Sequence, residues 1–135
     1  MIRRMSFLAI FAFMMSEVAA GAAGAADTSS YQSSGALKVT VLYGHPKNPE
    51  DFEKYYLGTH MPLVAAANPG KGMETSKCPP AADGSPAPYY RIFEIWFDSQ
   101  VEMAAITSTP EWKKAVADVP NFATGGFTRV LSKLD

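Results

Sequence analysis

The stretch Tyr89-Tyr90-Arg91-Ile92-Phe93-Glu94-Ile95-Trp96-Phe97 predicts a strand with large apolar side chains on both faces. Successive side chains of a strand point to opposite faces. One alternating set is Tyr89, Arg91, Phe93, Ile95 and Phe97, and the other is Tyr90, Ile92, Glu94 and Trp96. Helices cover one face of such a sheet, and each large side chain left in water on the other would forfeit roughly 1.5–3 kcal/mol. The second face is therefore predicted to meet the sheet of a second copy in a two-fold dimer.

Glu94 is the one acidic residue inside this apolar stretch. Two interpretations fit the pattern equally. Glu94 forms a buried ion pair, for example with Arg91 of a neighbouring strand, or it faces a cavity.

The elements around this strand predict an α+β fold. They are a strand from Leu37 to Leu42, a helix after Asn48, a strand from Lys71 to Cys78, a helical region that begins at Ser99, restarts at Thr109 and stops at Pro120, and a strand from Phe127 to Leu134. The order βαββαβ is that of a ferredoxin-like fold. It predicts a four-stranded antiparallel sheet with both helices on one face.

The helix after Asn48 has strong start signals. Asn48 is a favourable N-cap and Pro49 suits the first helical position. One helical face then carries Phe52, Tyr56, Thr59 and Leu63. Gly58 and Pro62 are predicted to interrupt this helix, which places His60 at a break.

The first 26 residues are predicted to be a signal peptide. Arg3 and Arg4 precede an apolar run from Met5 to Met15, and small residues follow from Ala19 to Ala26. We therefore expect an exported protein, periplasmic or secreted, with no membrane segment after cleavage. Residues 27–36 are predicted to be a flexible linker, and residues 37–135 the folded domain.

Charge and cysteine content exclude several classes of partner and site. The 12 basic and 13 acidic residues are spread along the chain, so no nucleic-acid surface is indicated. Cys78 is the single cysteine, which excludes an internal disulfide and a multi-cysteine metal site.

Four segments together resemble the EthD family, named after a protein required for ethyl tert-butyl ether degradation. They are Lys38-Val39-Thr40-Val41-Leu42-Tyr43, the segment Tyr56-(x)3-His60-Met61-Pro62-Leu63, Tyr90-Arg91-Ile92-Phe93-Glu94-Ile95-Trp96-Phe97, and Asp118-Val119-Pro120-Asn121-Phe122. The resemblance spans residues 37–134. It implies a dimeric α+β barrel, in which two sheets close face to face and each protomer keeps a cleft between its sheet and helices. Similar barrels include cofactor-free monooxygenases, muconolactone isomerase and haem-degrading enzymes, so the fold alone does not name a reaction.

The two histidines are the leading candidates for chemistry. We expect the cleft to be lined by Tyr43, His45, Tyr56, His60, Tyr90, Trp96 and Phe122, with Glu94 as a further ligand-contacting residue. His60 would exchange a proton with a small apolar or aromatic carbonyl compound, as a cofactor-free oxidoreductase or isomerase requires. No cofactor and no metal are expected.

Other interpretations of the same residues stay open. His60 would instead cap the broken helix by bonding a freed carbonyl, and His45 would be an ordinary loop residue. At the level of the whole protein, the alternative is a dimer that binds or sequesters a small ligand without turnover. A third hypothesis is a haem-binding barrel with His60 as axial ligand.

Overall fold

The computed structural model describes residues 36–67 and 72–135. The predicted signal peptide and nearly all of the predicted linker lie outside the described residues. The strands are β1 (Leu37–Tyr43), β2 (Met73–Lys77), β3 (Arg91–Phe97) and β4 (Phe127–Lys133). The helices are α1 (Pro49–Tyr55), a π-helical turn (Tyr56–His60), α2 (Met61–Ala67), α3 (Gln100–Thr107), α4 (Pro110–Asp118) and a 3-10 turn (Val119–Asn121).

The strands form one antiparallel sheet in the order β2-β3-β1-β4. In the centre of the sheet, Val39 of β1 lies opposite Ile95 of β3 on one side and Leu131 of β4 on the other. The ferredoxin-like α+β fold predicted from the element order is confirmed. Among the described helices, none is both long enough and apolar enough to cross a membrane.

The core lies between the helices and one face of the sheet. On β3 the odd-numbered residues are buried and the even-numbered ones are half-buried, because successive side chains alternate between faces. Phe93, Ile95 and Phe97 therefore pack with Val39 and Tyr43 of β1 beneath the helices. Ile92, Glu94 and Trp96 lie on the other face, which none of the described helices covers.

Local capping explains where the helices begin. The side chain of Asn48 accepts hydrogen bonds from the backbone N–H groups of Glu50 and Asp51 at 3.0 and 3.3 Å. Ser99 and Thr109 cap α3 and α4 in the same way. These three starts agree with the sequence-based prediction.

The predicted break around His60 is wrong. The chain stays helical from Pro49 to Ala67, and the segment Tyr56–His60 widens into a π turn, in which the N–H of Met61 bonds to the carbonyl of Tyr56. A proline inside an α-helix clashes with the carbonyl four residues earlier, and a wider turn relieves this clash. Pro62 thus follows the π turn without ending the helix.

Strand β3 begins two residues later than predicted. Tyr90 therefore lies away from the sheet face that none of the described helices covers, which we call the open face. The Tyr90 hydroxyl donates to Glu53 Oε1 at 2.9 Å, and its ring packs edge-on against Phe52 at 5.2 Å. Tyr90 therefore packs against helix α1. The prediction that Tyr90 shares a sheet face with Ile92 and Trp96 is wrong.

Glu94 forms an ion pair, although with a different partner from the one suggested. Lys38 of the adjacent strand lies 2.8 Å from Glu94 Oε1, and the hydroxyl of Thr40 donates to the same oxygen at 3.3 Å. Arg91 points to the other face and pairs with Glu53 at 2.6 Å. Both members of the Lys38–Glu94 pair are half-buried on the open face.

Three glycines allow the loops at one end of the sheet to come into close contact. The N–H of Gly44 bonds to the carbonyl of Gly126 at 2.9 Å. A Cβ atom built on Gly125 would overlap the backbone carbonyl of His45. Backbones approach this closely only where a side chain is missing.

Candidate functional site

A pocket of about 110 Å³ lies between the sheet and the helices. It is lined from the sheet by Val39, Val41, Tyr43, Phe93, Phe127 and Arg129, and from the helices and the turn after them by His60, Val64, Trp112, Ala115, Val116 and Val119. Most of these side chains are apolar, and few polar groups reach the cavity. Such a lining is typical of small-molecule sites.

His60 is the polar group contributed by the π turn. Its side chain is 5% exposed, and its Nδ1 lies 3.0 Å from Oδ2 of Asp118. The rings of Phe122 and Tyr56 lie 4.5 and 5.7 Å from the imidazole ring and support it from within the core. The imidazole is thus held by contacts on several sides.

Asp118, at the end of α4, is fixed by two further donors. The hydroxyl of Tyr55 donates to Oδ1 at 2.8 Å, and Nδ2 of Asn121 donates to the same atom at 2.9 Å. The Asp118 side chain is 10% exposed. Three donors on one buried carboxylate orient it firmly and compensate its loss of hydration.

The electrostatic surroundings favour a neutral imidazole and an ionised carboxylate. Burial lowers the pKa of His60 below its ordinary value, and the hydrogen bond and charge of Asp118 oppose this shift only in part. For Asp118, burial alone would raise the pKa, but the hydrogen bonds from Asn121, His60 and Tyr55 lower it below the ordinary value. The pair is therefore neutral His60 beside ionised Asp118 near pH 7.

This arrangement determines which nitrogen of His60 is basic. A carboxylate only accepts hydrogen bonds, so Nδ1 carries the proton that bonds to Asp118. The neutral ring then has its lone pair on Nε2. An imidazole oriented by a carboxylate in this way can act as a general base or as a hydrogen-bond acceptor for a ligand.

A second polar cluster lies beside the pocket at the end of the sheet near β2. Arg91 donates to Glu53 at 2.6 Å and to Thr75 at 2.9 Å, and its guanidinium lies 4.8 Å from the centre of the Tyr56 ring. The hydroxyls of Tyr56 and Thr75 hydrogen-bond at 3.0 Å. Tyr90 donates to Glu53 in the same cluster. These contacts tie α1 to the sheet, although the buried Nε of Arg91 has no hydrogen-bond partner within residues 36–67 and 72–135.

The structure brings some of the predicted site residues together. Tyr43 and His60 line the pocket. Tyr56 and Phe122 pack against His60 from behind. Burial raises the pKa of Tyr43 above its ordinary range, so its hydroxyl stays protonated near pH 7 and is not a base.

The other predicted site residues lie elsewhere. His45 is exposed, and its Nε2–H donates to the carbonyl of Ala87 at 2.6 Å. Tyr90 belongs to the Arg91 cluster. The placement of Glu94 and Trp96 in the cleft is corrected, because both lie on the face of β3 that points away from the helices.

The residues of the site that were not predicted include Asp118, Trp112 and Arg129. Asp118 could have been found from its position in the quoted segment Asp118–Phe122, where Asn121 three residues later signals a bonded carboxylate.

The interpretation of His60 as a helix cap is wrong, because its Nδ1 bonds to Asp118 instead of a backbone carbonyl. Within residues 36–67 and 72–135, no group of three or more His, Cys, Asp or Glu could hold a metal ion.

Comparison with known proteins identifies the family. The model of the EthD domain matches residues 45–126. An uncharacterised 11.0 kDa protein in the thcB–thcC intergenic region of Rhodococcus erythropolis is 36% identical over 95 residues, which are 70% of this chain and 91% of that protein.

Two solved structures share the fold. An ethyl tert-butyl ether D (EthD) family protein from Bacillus halodurans superimposes with a TM-score of 0.67 at 24% identity, covering 74% of this chain and 99% of the other. A dimeric ferredoxin-like protein of unknown function from Thermobifida fusca gives a TM-score of 0.56 at 17% identity, covering 77% and 95%. The match of the domain model over most of the folded region, together with the relative from Rhodococcus, shows that this chain belongs to the EthD family.

Proposed function

We propose that this protein is an exported homodimer that binds a small apolar or aromatic carbonyl compound, and that His60 exchanges a proton with it. The observation that carries the proposal is the buried imidazole, bonded to Asp118 at 3.0 Å, in the wall of an apolar pocket. The reaction class that suits these groups is isomerisation or cofactor-independent oxidation of a carbonyl compound. Both begin with loss of a proton next to a carbonyl.

The proposed step uses only groups of this chain and the ligand. Nε2 of His60 takes a proton from a carbon next to the carbonyl, and the electrons of that C–H bond form a C=C bond as the carbonyl oxygen becomes an enolate. Asp118 stabilises the imidazolium that results. In a ligand with a C=C bond between its β and γ carbons, this enolate is a dienolate, and return of the proton to the γ carbon moves the C=C bond and completes an isomerisation without an oxidant.

The experiment measures hydrogen exchange in D₂O. Wild-type protein and the variant His60→Asn are incubated with cyclohexanone or phenylacetaldehyde, and loss of the proton next to the carbonyl is followed by NMR. Asparagine keeps a donor near Asp118 and removes the basic nitrogen. Wild type should accelerate exchange, with a loss of roughly 10²-fold or more in the variant. The control is His45→Asn, which changes the other histidine and should exchange as wild type does.

The same experiment separates the enzyme from a binding protein without turnover. Saturable binding of the probes with no faster exchange would establish the second function, a small-ligand carrier, and would refute proton transfer by His60. Binding of neither probe, nor of other small carbonyl compounds, would overturn both.

The homodimer is proposed from the open sheet face. Ile92 is half-buried and Val130 is exposed in the single chain, and both lie with the Lys38–Glu94 pair on a face that none of the described helices covers. The fold is shared with a protein from Thermobifida fusca that is described as dimeric. Pairing of two such faces would remove these apolar groups from water.

Export is proposed from the first 26 residues, which precede the described part of the chain. Arg3 and Arg4, the apolar run and the small residues after it have the order of a cleavable signal peptide. Sequencing the N-terminus of the protein isolated from its producing cell should find a start near Asp27. An intact Met1 in the cytoplasmic fraction would contradict export.

A further inference from the structure

Arg129 is a cation in the pocket wall that the proposed proton transfer does not use. It lies on β4 opposite Val41, on the face of the sheet that meets the helices. Within residues 36–67 and 72–135, its side chain forms no hydrogen bond or ion pair. Phe127, two residues earlier on the same face, also lines the pocket, and both side chains are exposed at its open side.

No carboxylate among the lining residues balances this charge. The acidic group bonded to His60, Asp118, is not among the lining residues and already accepts hydrogen bonds from three donors. His60 itself is neutral near pH 7, since burial lowers its pKa. The pocket therefore carries one formal positive charge in an otherwise apolar lining.

We infer that the pocket selects compounds with an oxygen anion attached to a small apolar body, and that Arg129 binds this anion. The inference deepens the function proposed above and rests on it. A guanidinium is always charged and presents a planar set of donors that matches the two oxygens of a carboxylate. The valines and aromatic rings of the pocket hold the apolar body of the ligand.

The same contact would serve the reaction. When His60 removes a proton, the negative charge moves to the carbonyl oxygen, and Arg129 is the charged donor available in the lining to bind it. The anion is thus either a carboxylate present in the ligand or an enolate formed from it. Both are recognised through the same oxygen chemistry.

The test uses two probes of the same shape that differ in charge, benzoate and benzamide. Their dissociation constants are measured by NMR titration at about 0.15 M ionic strength, for wild type and for Arg129→Met, which keeps most of the side-chain length without charge. Wild type should bind benzoate about tenfold more tightly than benzamide, because a charge-assisted hydrogen bond at a partly exposed site is worth about one factor of ten. Arg129→Met should lose this preference and bind benzamide as before.

A neighbouring lysine provides the matched control. Lys133 lies on the same face of β4, four residues from Arg129, and is not part of the pocket lining. This spacing is about 13 Å along a strand, beyond the screening length of about 8 Å at this ionic strength. Lys133→Met removes one positive charge and should leave the preference for benzoate unchanged.

Each outcome decides between the claims. Equal affinities of wild type for the two probes, or a benzoate preference that survives in Arg129→Met, overturns the role of Arg129 and leaves the pocket intact. A preference lost equally in Lys133→Met shows that net charge, rather than a contact of Arg129, is responsible, and also overturns it. Binding of neither probe overturns this inference, while hydrogen exchange by wild type that depends on His60 would still uphold the proposed function.

A second experiment separates a carboxylate ligand from an enolate. It compares the rate of hydrogen exchange of cyclohexanone in wild type and Arg129→Met. A slower rate in the variant identifies the enolate as a further ligand of Arg129, and an unchanged rate restricts the role to carboxylates.

Discussion

Replacement of Asp118 by alanine should destabilise the folded domain strongly, although the residue lies on the edge of the core. Asp118 accepts hydrogen bonds from Tyr55, Asn121 and His60, and its side chain is 10% exposed. Alanine removes the acceptor for all three donors at once. The donors on Tyr55 and Asn121 can turn to water, whereas Nδ1 of His60 cannot, because that side chain is 5% exposed.

The magnitude follows from the unpaired imidazole. A buried donor left without a partner costs ~1–3 kcal/mol, and loss of a hydrogen bond to a charged acceptor lies at the upper end of that range. We expect Asp118→Ala to lower the free energy of unfolding by about 3 kcal/mol. Asp118→Asn keeps the volume and one acceptor oxygen, so its loss should be roughly half as large. A total of 5–15 kcal/mol is usual for a domain of this size, so the alanine variant should be visibly less stable.

Urea unfolding of wild type and the two variants at pH 7.5, followed by tryptophan fluorescence, measures these differences. The control is Asp83→Ala. Asp83 also accepts hydrogen bonds, from the backbone and the hydroxyl of Ser85 at 2.9 and 2.6 Å, but it lies in an exposed loop. Its replacement should have a much smaller effect than that of Asp118. Equal losses in the two alanine variants would refute the argument that burial of the imidazole sets the cost.

Three further predictions concern stability and assembly. The free energy of unfolding should fall as the pH drops below about 6.5, because the unfolded chain binds a proton on His60 that the folded state resists. In urea titrations between pH 5 and 8, His60→Asn should reduce the slope of the free energy of unfolding against pH. An unchanged slope would contradict the lowered pKa of His60. Gly125→Ala should lower the melting temperature by several degrees, because its Cβ would overlap the carbonyl of His45. Gly58→Ala should preserve or raise the melting temperature, since a Cβ at position 58 would meet nothing within 4 Å beyond its chain neighbours and the backbone of its own helix. Equal melting temperatures of the two variants would refute the close approach at Gly125. Trp96→Lys should give monomers or aggregates in sedimentation velocity, and a wild type that sediments as a folded monomer at micromolar concentration would refute the dimer.

The fold could be predicted because its signals are local. The starts of the helices depend on Asn48, Ser99 and Thr109, whose side chains bond to backbone groups two or three residues away. The strands follow from alternation, which a single sequence displays directly. The resemblance to the EthD family depended on the same local segments.

The site could be predicted only in part because its contacts are distant in sequence. His60 and Asp118 are 58 residues apart, and a lone sequence does not show which carboxylate reaches an imidazole. For Arg129, alternation on β4 leaves two faces that both carry apolar residues, Phe127 and Leu131 on one and Val130 on the other. The side of the sheet that Arg129 occupies therefore follows only from the packing of the helices.

Tyr90 illustrates a different limit. Alternation assigns Tyr90 to the open face together with Ile92. This assignment is valid only if Tyr90 is already part of the regular strand. The strand instead begins at Arg91, and the Tyr90 side chain turns towards Glu53 on helix α1. Strand ends are set by tertiary contacts of this kind, which periodicity does not contain.

The π turn compensates for the rotation of the buried side chains around the axis of the first helix. Its buried residues Phe52, Tyr56, His60 and Val64 recur every fourth position. At about 100° per residue, each such step in an α-helix rotates the side chain by roughly 40°, so Val64 would point about 120° away from Phe52. The wider turn takes up most of this rotation and keeps all four on the core side. The direction of the His60 imidazole is thus set by helix geometry between positions 56 and 60, and substitutions at the exposed positions 57–59 that preserve this geometry should leave it unchanged.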